Sequence, residues 1–285
     1  MEQRFGGRWT EEKLSRVKAY LAAYTTALRK QPFERLYIDA FAGTGYRTAQ
    51  RPFPPMFPDL QDVAKGSARM ALEVQPPFDR YVFIEHNRRR FSELAKLAQL
   101  YPGLKDRITL LNEDANVAVK RLCQNIDWRR CRAVLFLDPF GMQVDWDTIE
   151  AVARSKAIDL WYLVPVGIGI ARVTPRNADI PRGWARRLDR MLGDCGWRDA
   201  WYAAPPTGDL FGPRPHARVR TADIPAMEAF VLERLKSVFA GVAPHGLRLG
   251  PGGGAHYLLV FAVGNPRAKD LALRIARHIL GSGLA

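Results

Sequence analysis

The stretch AVLFLDPFGMQVDW, residues 133–146, decides how the chain is read. Ala133 to Leu137 is an unbroken apolar run bounded by turn residues, as expected of a strand buried on both faces. It ends abruptly in Asp138, Pro139, Phe140 and Gly141: a carboxylate, a ring-locked backbone, an aromatic side chain and a residue free to turn. Such a cluster is either a plain strand exit or a place where a substrate amine is held for chemistry.

Working outward, similar apolar runs occur at 35–39, 80–84, 108–111 and 158–164, with helical periodicity at 67–74, 88–100, 116–124 and 147–155. Strands alternating with helices at this spacing predict an α/β fold with a parallel, doubly wound sheet. Ahead of them, Leu14, Val17, Leu21, Tyr24 and Leu28 mark an amphipathic helix. Thr10 is read as its N-cap, with Lys13 standing where a capping box needs an acid. A late strand at 256–263 follows the glycine-rich turn RLGPGGG and predicts an antiparallel hairpin at the sheet edge. Further helices are expected at 182–193, 225–239 and 266–280. Residues 46–66, with four prolines, and 166–225 read as insertions in one domain spanning 1–285.

A hydrophobic fraction of 47% in 285 residues supplies a full core, and no apolar run is long enough for a membrane span. The first residues lack the apolar stretch of a signal peptide, so a soluble, cytoplasmic protein is expected. Cys123, Cys131 and Cys195 have no metal-site spacing, and neither do the histidines; free thiols and no metal are expected. The net charge of +14 attracts polyanions, nucleic acid first. Arg outnumbers Lys 33 to 10, which a GC-rich genome would also produce.

Four strand ends carry matching chemistry. In YIDAFAGTG, residues 37–45, Gly43 and Gly45 let a ligand approach the backbone, with Asp39 just before them. Glu85 follows the second strand, where an acid accepts ribose hydroxyls, or is simply an exposed acid beside Arg88-Arg89-Arg90. Asp114 follows the third strand, placed either for an adenine amino group or as a plain helix N-cap. Asp138 ends the fourth. Their order and spacing match a site for S-adenosyl-L-methionine (AdoMet). A nicotinamide dehydrogenase fits less well, because the third glycine of its fingerprint is replaced by Thr48 and the loop is too long.

The segments WTEEKLSRVKAYLAAYTTAL, YIDAFAGTG, KGSARMAL, FIEHN, LNEDAN, FLDPFGMQVDW and HYLLVFAV, in this order, resemble the three-Cys-motif partner (TcmP) family across most of the chain outside 172–225. The resemblance implies a Rossmann-like class I methyltransferase sheet, mostly parallel with a late antiparallel edge hairpin strand, and AdoMet as cofactor. It also implies a companion protein carrying a radical-AdoMet-like cysteine triplet, to which Cys123, Cys131 and Cys195 do not correspond.

The cluster at 138–141 is similar to the strand end of amino-group methyltransferases acting on nucleic acids. There a carboxylate and a proline carbonyl accept the N–H bonds of a base amine, and an aromatic ring stacks on the base, worth ~1–3 kcal/mol. Asp138, Pro139 and Phe140 are thus the catalytic candidates. Phe140 stands where that pattern has a second proline, and Gly141 where it has the ring. Arg47, Arg51, Phe53 and Phe57 in the first insertion suit an extruded base or a phosphate, or anchor a surface loop. The Arg88-Arg89-Arg90 run is a phosphate patch or a solvated helix face. Two functions are expected to compete: AdoMet-dependent methyl transfer to nucleic acid, and a non-catalytic methyltransferase-fold partner that binds or regulates the companion.

Overall fold

The computed structural model describes residues 8–43, 66–205, 218–250 and 254–281. After helix α1 (Arg8–Ala27) come β1 (Glu34–Asp39), α2 (Ser67–Leu72), β2 (Arg80–Ile84), α3 (Arg88–Gln99), β3 (Ile108–Leu111), α4 (Ala115–Asn125), β4 (Cys131–Leu137), α5 (Trp146–Arg154) and β5 (Ile158–Val164). Next are a π-helical turn (Val166–Ala171), α6 (Arg182–Leu192), α7 (Trp197–Trp201) and the short strands β6 (Tyr202–Ala203) and β7 (Val219–Arg220). The described chain closes with α8 (Ile224–Lys236), β8 (Gly241–Val242), β9 (Leu247–Leu249), β10 (Tyr257–Val263) and α9 (Lys269–Gly281).

The sheet runs β3-β2-β1-β4-β5-β10-β8, with β9 also paired to β10. Strands β1 to β5 are parallel, and β10 is antiparallel to β5 with Phe261 opposite Trp161. This is the Rossmann-like methyltransferase sheet expected, and the antiparallel hairpin is β9–β10. The outer rim beyond β10 is formed by the short β8 and β9. Because β2 and β4 flank β1 on opposite sides, strand order reverses there, and a crevice opens outside the carboxyl ends.

Period-two alternation gives the sheet two chemically different faces. Leu36, Ile38, Val82, Ile84, Leu135, Leu160 and Val260 pack against the helices α4 to α8 in a core whose strand residues are mostly aliphatic and whose helices add Trp146, Trp197 and Trp201. Tyr37, Tyr81, Phe83, Phe136, Trp161, Tyr257 and Phe261 face the other way, under α1, α2, α3 and α9. Helix α1 adds Tyr20, whose ring lies 5.5 Å from Trp161 and 4.8 Å from Phe261. The helix begins at Arg8, so Thr10 sits inside the first turn and is not the N-cap expected from sequence. Trp9 stacks on Tyr257 at 5.3 Å, and this packing carries the helix past the local capping signal.

The same alternation turns Asp138 to the side of Phe136, beneath α1. There Lys13, fully buried, donates to Asp138 Oδ2 at 2.5 Å, with Asp138 itself only 5% exposed. Two turns along α1, the Tyr20 hydroxyl donates to Asp159 Oδ2 at 2.8 Å. Helix α1 is thus tied to the end of β4 and to the start of β5 by buried polar contacts. Burial pulls the Lys13 ammonium below its ordinary range and the Asp138 carboxylate opposes that. Burial pushes the Asp159 carboxyl up to about 7, against a partial opposing effect of the Tyr20 hydrogen bond.

Two outcomes follow from these ties. Lys13→Met, which strands the carboxylate, should destabilise by about 3–5 kcal/mol in urea unfolding. Adding Asp138→Asn should cost less than the sum of the single changes, whereas strict additivity would show the contact to be inert. For Asp159, the folded state keeps a proton that the unfolded chain releases. Its stabilisation is therefore complete below the unfolded value of 3.8 and is lost as pH rises to about 7. Asp159→Asn should gain on the parent chain by ~1–4 kcal/mol between those pH values; parallel stability curves would contradict this.

Candidate active site

Beyond β1 the backbone is pinned on both sides: the Ala40 N–H donates to Phe136 O at 3.1 Å and the Ala42 N–H to Ile84 O at 3.0 Å. Gly43 then turns with φ +63°, a conformation that favours glycine, and donates its N–H to Glu85 Oε2 at 3.1 Å. Glu85, 6% exposed, accepts a second bond from the Asn87 N–H at 2.7 Å through Oε1. It is therefore a held acid, not the exposed one that its arginine-rich surroundings also allowed. The Asn112 amide fixes the same chain segment by donating to Glu85 O at 2.7 Å and His86 O at 3.0 Å.

Asp114 caps α4, its Oδ1 accepting the N–H groups of Asn116 at 2.9 Å and Val117 at 3.2 Å. It also lines a cleft of about 410 Å³ together with Ala40, Phe41, Glu85, Phe140 and Arg90. Cap and cleft wall coincide in one side chain. The volume lies within the ~300–1,000 Å³ usual for small-molecule sites.

The loop from β4 to α5 is braced from three directions. Phe140 donates its N–H to Gln143 Oε1 at 3.0 Å, and Gly141 turns at φ +70°. Asn116 donates to Gln143 O at 3.0 Å and accepts the Asp145 N–H at 2.9 Å. From α6, Arg187 donates to Met142 O, to Val144 O at 3.1 Å and to Asp145 Oδ1 at 2.6 Å. Arg190 pairs with the other oxygen of Asp145. The Arg90 guanidinium lies 4.6 Å from the centroid of the Phe140 ring. The cleft is thus acidic on its floor, at Glu85 and Asp114, and cationic at Arg90, Arg187 and Arg190.

The residues expected from sequence divide into three groups. Glu85, Asp114 and Phe140 meet in the cleft, with Gly43 bonded to Glu85. Asp39 and Asp138 lie toward the α1 side and are not among the lining residues; Pro139 is buried and does not line the cleft either. Gly45, the residues Arg47, Arg51, Phe53 and Phe57, and nearly all of the first insertion lie outside the described residues. Lys13, Asn116, Gln143, Asp145, Arg187 and Arg190 were not singled out as site residues from sequence. Only Lys13 had a signal, as a lysine on the apolar stripe of α1, one turn before Val17 and seven residues before Tyr20.

Asp39 tests the fit of AdoMet. Its Oδ1 accepts the Phe41 N–H at 3.2 Å; its buried Oδ2 makes no full hydrogen bond, although the buried Ser67 hydroxyl stands close enough to favour the charged form. Burial pushes this carboxyl up to about 7. A buried carboxylate oxygen short of a full hydrogen bond suits an ammonium group, and the held Glu85 carboxylate in the cleft suits a diol; AdoMet has both. Among the described residues, no group of three or more His, Cys, Asp or Glu is placed to hold a metal, and no helix is long and apolar enough to cross a membrane.

No protein-family model and no curated protein matches the chain. Among solved structures, protein LPL1258 of Legionella pneumophila, of the family model DUF519, is similar with a TM-score of 0.51 over 98% of this chain and 94% of its own, at 14% identity. An S-adenosylmethionine-dependent methyltransferase from Clostridium acetobutylicum gives 0.40 over 88% and 92%, at 10% identity. Spermidine synthase from Thermotoga maritima gives 0.40 over 90% and 60%, at 12% identity. At these identities the likeness concerns the fold alone: a parallel β3-β2-β1-β4-β5 block extended by antiparallel edge strands, the Rossmann-like methyltransferase fold.

Proposed function

We propose that this chain is an AdoMet-dependent methyltransferase of the three-Cys-motif partner type, with nucleic acid as its methyl acceptor. One observation carries the reading: Glu85, Asp114 and Phe140, from three different strand ends, converge on one cleft at the switch point. In this reading Glu85 accepts the ribose hydroxyls, held ready by its bonds from Gly43 and Asn87. Asp114 serves the adenine side, Asp39 the ammonium, and Gly45 extends the turn begun at Gly43. When bound, AdoMet would supply an electrophilic methyl group, whose acceptance by an amine nitrogen releases a neutral thioether and one proton.

Asp138 and the Pro139 carbonyl are assigned the N–H bonds of the acceptor amine, and Phe140 the stacking surface. Lys13 occupies Oδ2 of Asp138, and Oδ1 has no hydrogen bond among the described residues. Much of the rate would come from positioning, since the loop is braced before any acceptor arrives. The Lys13 contact also favours a second reading, in which the occupied Asp138 is purely structural and the protein is a silent partner of the companion three-Cys-motif protein.

Calorimetry and tritiated-methyl transfer to DNA, RNA and protein pools separate these readings. The parent chain should bind AdoMet, and Glu85→Ala should weaken binding at least about tenfold, as loss of a charged hydrogen-bond acceptor implies. Asp138→Asn should abolish transfer while AdoMet affinity stays within about tenfold. Intact turnover in that variant defeats the catalytic assignment. AdoMet binding with no labelled pool, with or without the companion, favours the silent partner.

A further inference from the structure

Asp39 and Asp138 stand at the ends of neighbouring strands. Asp39 pairs with Phe136 in the register of β1 on β4, so Asp138 follows one pleat further on the same face. Both are buried beneath α1. One cation serves the two: Lys13 donates to Asp138 at 2.5 Å and acts on Asp39 through space. No second cation forms an ion pair with either carboxylate among the described residues. With all three groups ionised, this chamber would hold one negative charge too many, shut away from water, which burial strongly disfavours.

The other neighbours of Asp39 do not supply that charge. From α2 comes the Ser67 hydroxyl, while Arg69 on the same helix is turned to solvent against Glu73. From β1 itself comes the Tyr37 phenol, which burial and then the two carboxylates keep neutral. On β2 the residue opposite Asp39 is the apolar Phe83, and the acid beyond it, Glu85, is held by Gly43 and Asn87. Asp39 absorbs the imbalance. Burial pushes its carboxyl up to about 7, reinforced by Asp138 and opposed by Ser67, the Phe41 N–H and Lys13. The chamber is thus one cation short, and the next residues, Ala40 and Phe41, line the cleft.

We infer that the chamber of Lys13, Asp39 and Asp138 is an exchange site, which takes up the ammonium of AdoMet as Asp39 gives its proton to solvent. It selects ligands that bring an ammonium over those that end at the thioether. This rests on the AdoMet reading of the cleft and adds to it proton-linked, ammonium-selective binding. The sign follows from the competition. The ammonium needs the carboxylate, so affinity is full above about 7 and falls as pH drops below it. Above about 8 the ligand's own α-amine loses its proton, so the exchange is read between pH 5.5 and 7.0.

The test is calorimetry on the full chain across that range, in two buffers of different ionisation enthalpy. The ligands are AdoMet and 5′-methylthioadenosine, which keeps the adenine and ribose but has no ammonium. AdoMet affinity should fall about tenfold from pH 7.0 to 5.5, with close to one proton released per ligand at pH 6.0. 5′-Methylthioadenosine should show neither effect, and this comparison on the parent chain needs no variant. Asp39→Asn should weaken AdoMet at pH 7.0 at least about tenfold and remove both the slope and the proton release. Its unchanged affinity for 5′-methylthioadenosine would show the fold intact. His86 also lines the cleft, and His86→Gln should keep the AdoMet slope. AdoMet binding without proton release, equal pH dependence for the two ligands, or a slope that survives Asp39→Asn or vanishes in His86→Gln overturns the exchange and leaves the cofactor reading standing. Absence of AdoMet binding at every pH defeats the cofactor reading, and the exchange with it.

Discussion

The contact on which the architecture turns is the buried ion pair between Lys13 and Asp138. Two charges taken out of water cost several kcal/mol each in solvation, and only close approach and full pairing recover that. Such a pair is poor at raising stability and good at rejecting alternatives, because α1 cannot shift by a turn without leaving both charges alone. Helix α1 therefore has one register on the sheet, and the end of β4 has one position beneath it. Two turns away, the hydrogen bond from Tyr20 to Asp159 adds a second buried polar tie between α1 and the sheet. The strand end that carries Pro139 and Phe140 is fixed from the aromatic side of the sheet before the cleft side is considered.

The cleft side supplies its own bracing. Arg187 on α6 and Asn116 on α4 bond the same loop through Met142, Gln143, Val144 and Asp145, so Phe140 projects from a segment held by two helices. Glu85 is held likewise by backbone donors from Gly43 and Asn87. A site built in this way meets its ligand already ordered, and binding loses less to side-chain entropy. Asp39 and Asp138 share the face of Tyr37 and Phe136, beneath α1, while Ala40 and Phe140, beyond the ends of β1 and β4, line the cleft.

Much of this was legible in the sequence. Strands β1 to β5 and β10 are continuous apolar runs, and no helix competes for segments that short and that rich in Val, Ile, Tyr and Phe. The ribbon of β6 and β7 was not legible, since strands of two residues leave no period to read. The start of α1 was misplaced because Trp9 stacking on Tyr257 is a tertiary fact that overrides a local cap. At the site, the acids at strand ends were found because their position along each strand is a local property. Their partners were not: nothing near residue 138 announces a lysine 125 positions earlier, and nothing near 143 announces Arg187. Arg187 is further hidden by the number of arginines around it. The clue that did exist was Lys13 itself, a charge on an otherwise apolar helical stripe, which only a buried counter-charge makes tolerable.

The central claim is that the carboxyl ends of β1, β2, β3 and β4 form one adenosyl-binding cleft. A crystal structure with AdoMet bound addresses it most directly. The expected complex has the ribose hydroxyls on Glu85, the adenine beside Asp114 and the ammonium within reach of Asp39. A ligand seated elsewhere, or seated in the cleft with Glu85 still bonded only to the backbone of Gly43 and Asn87, would contradict it.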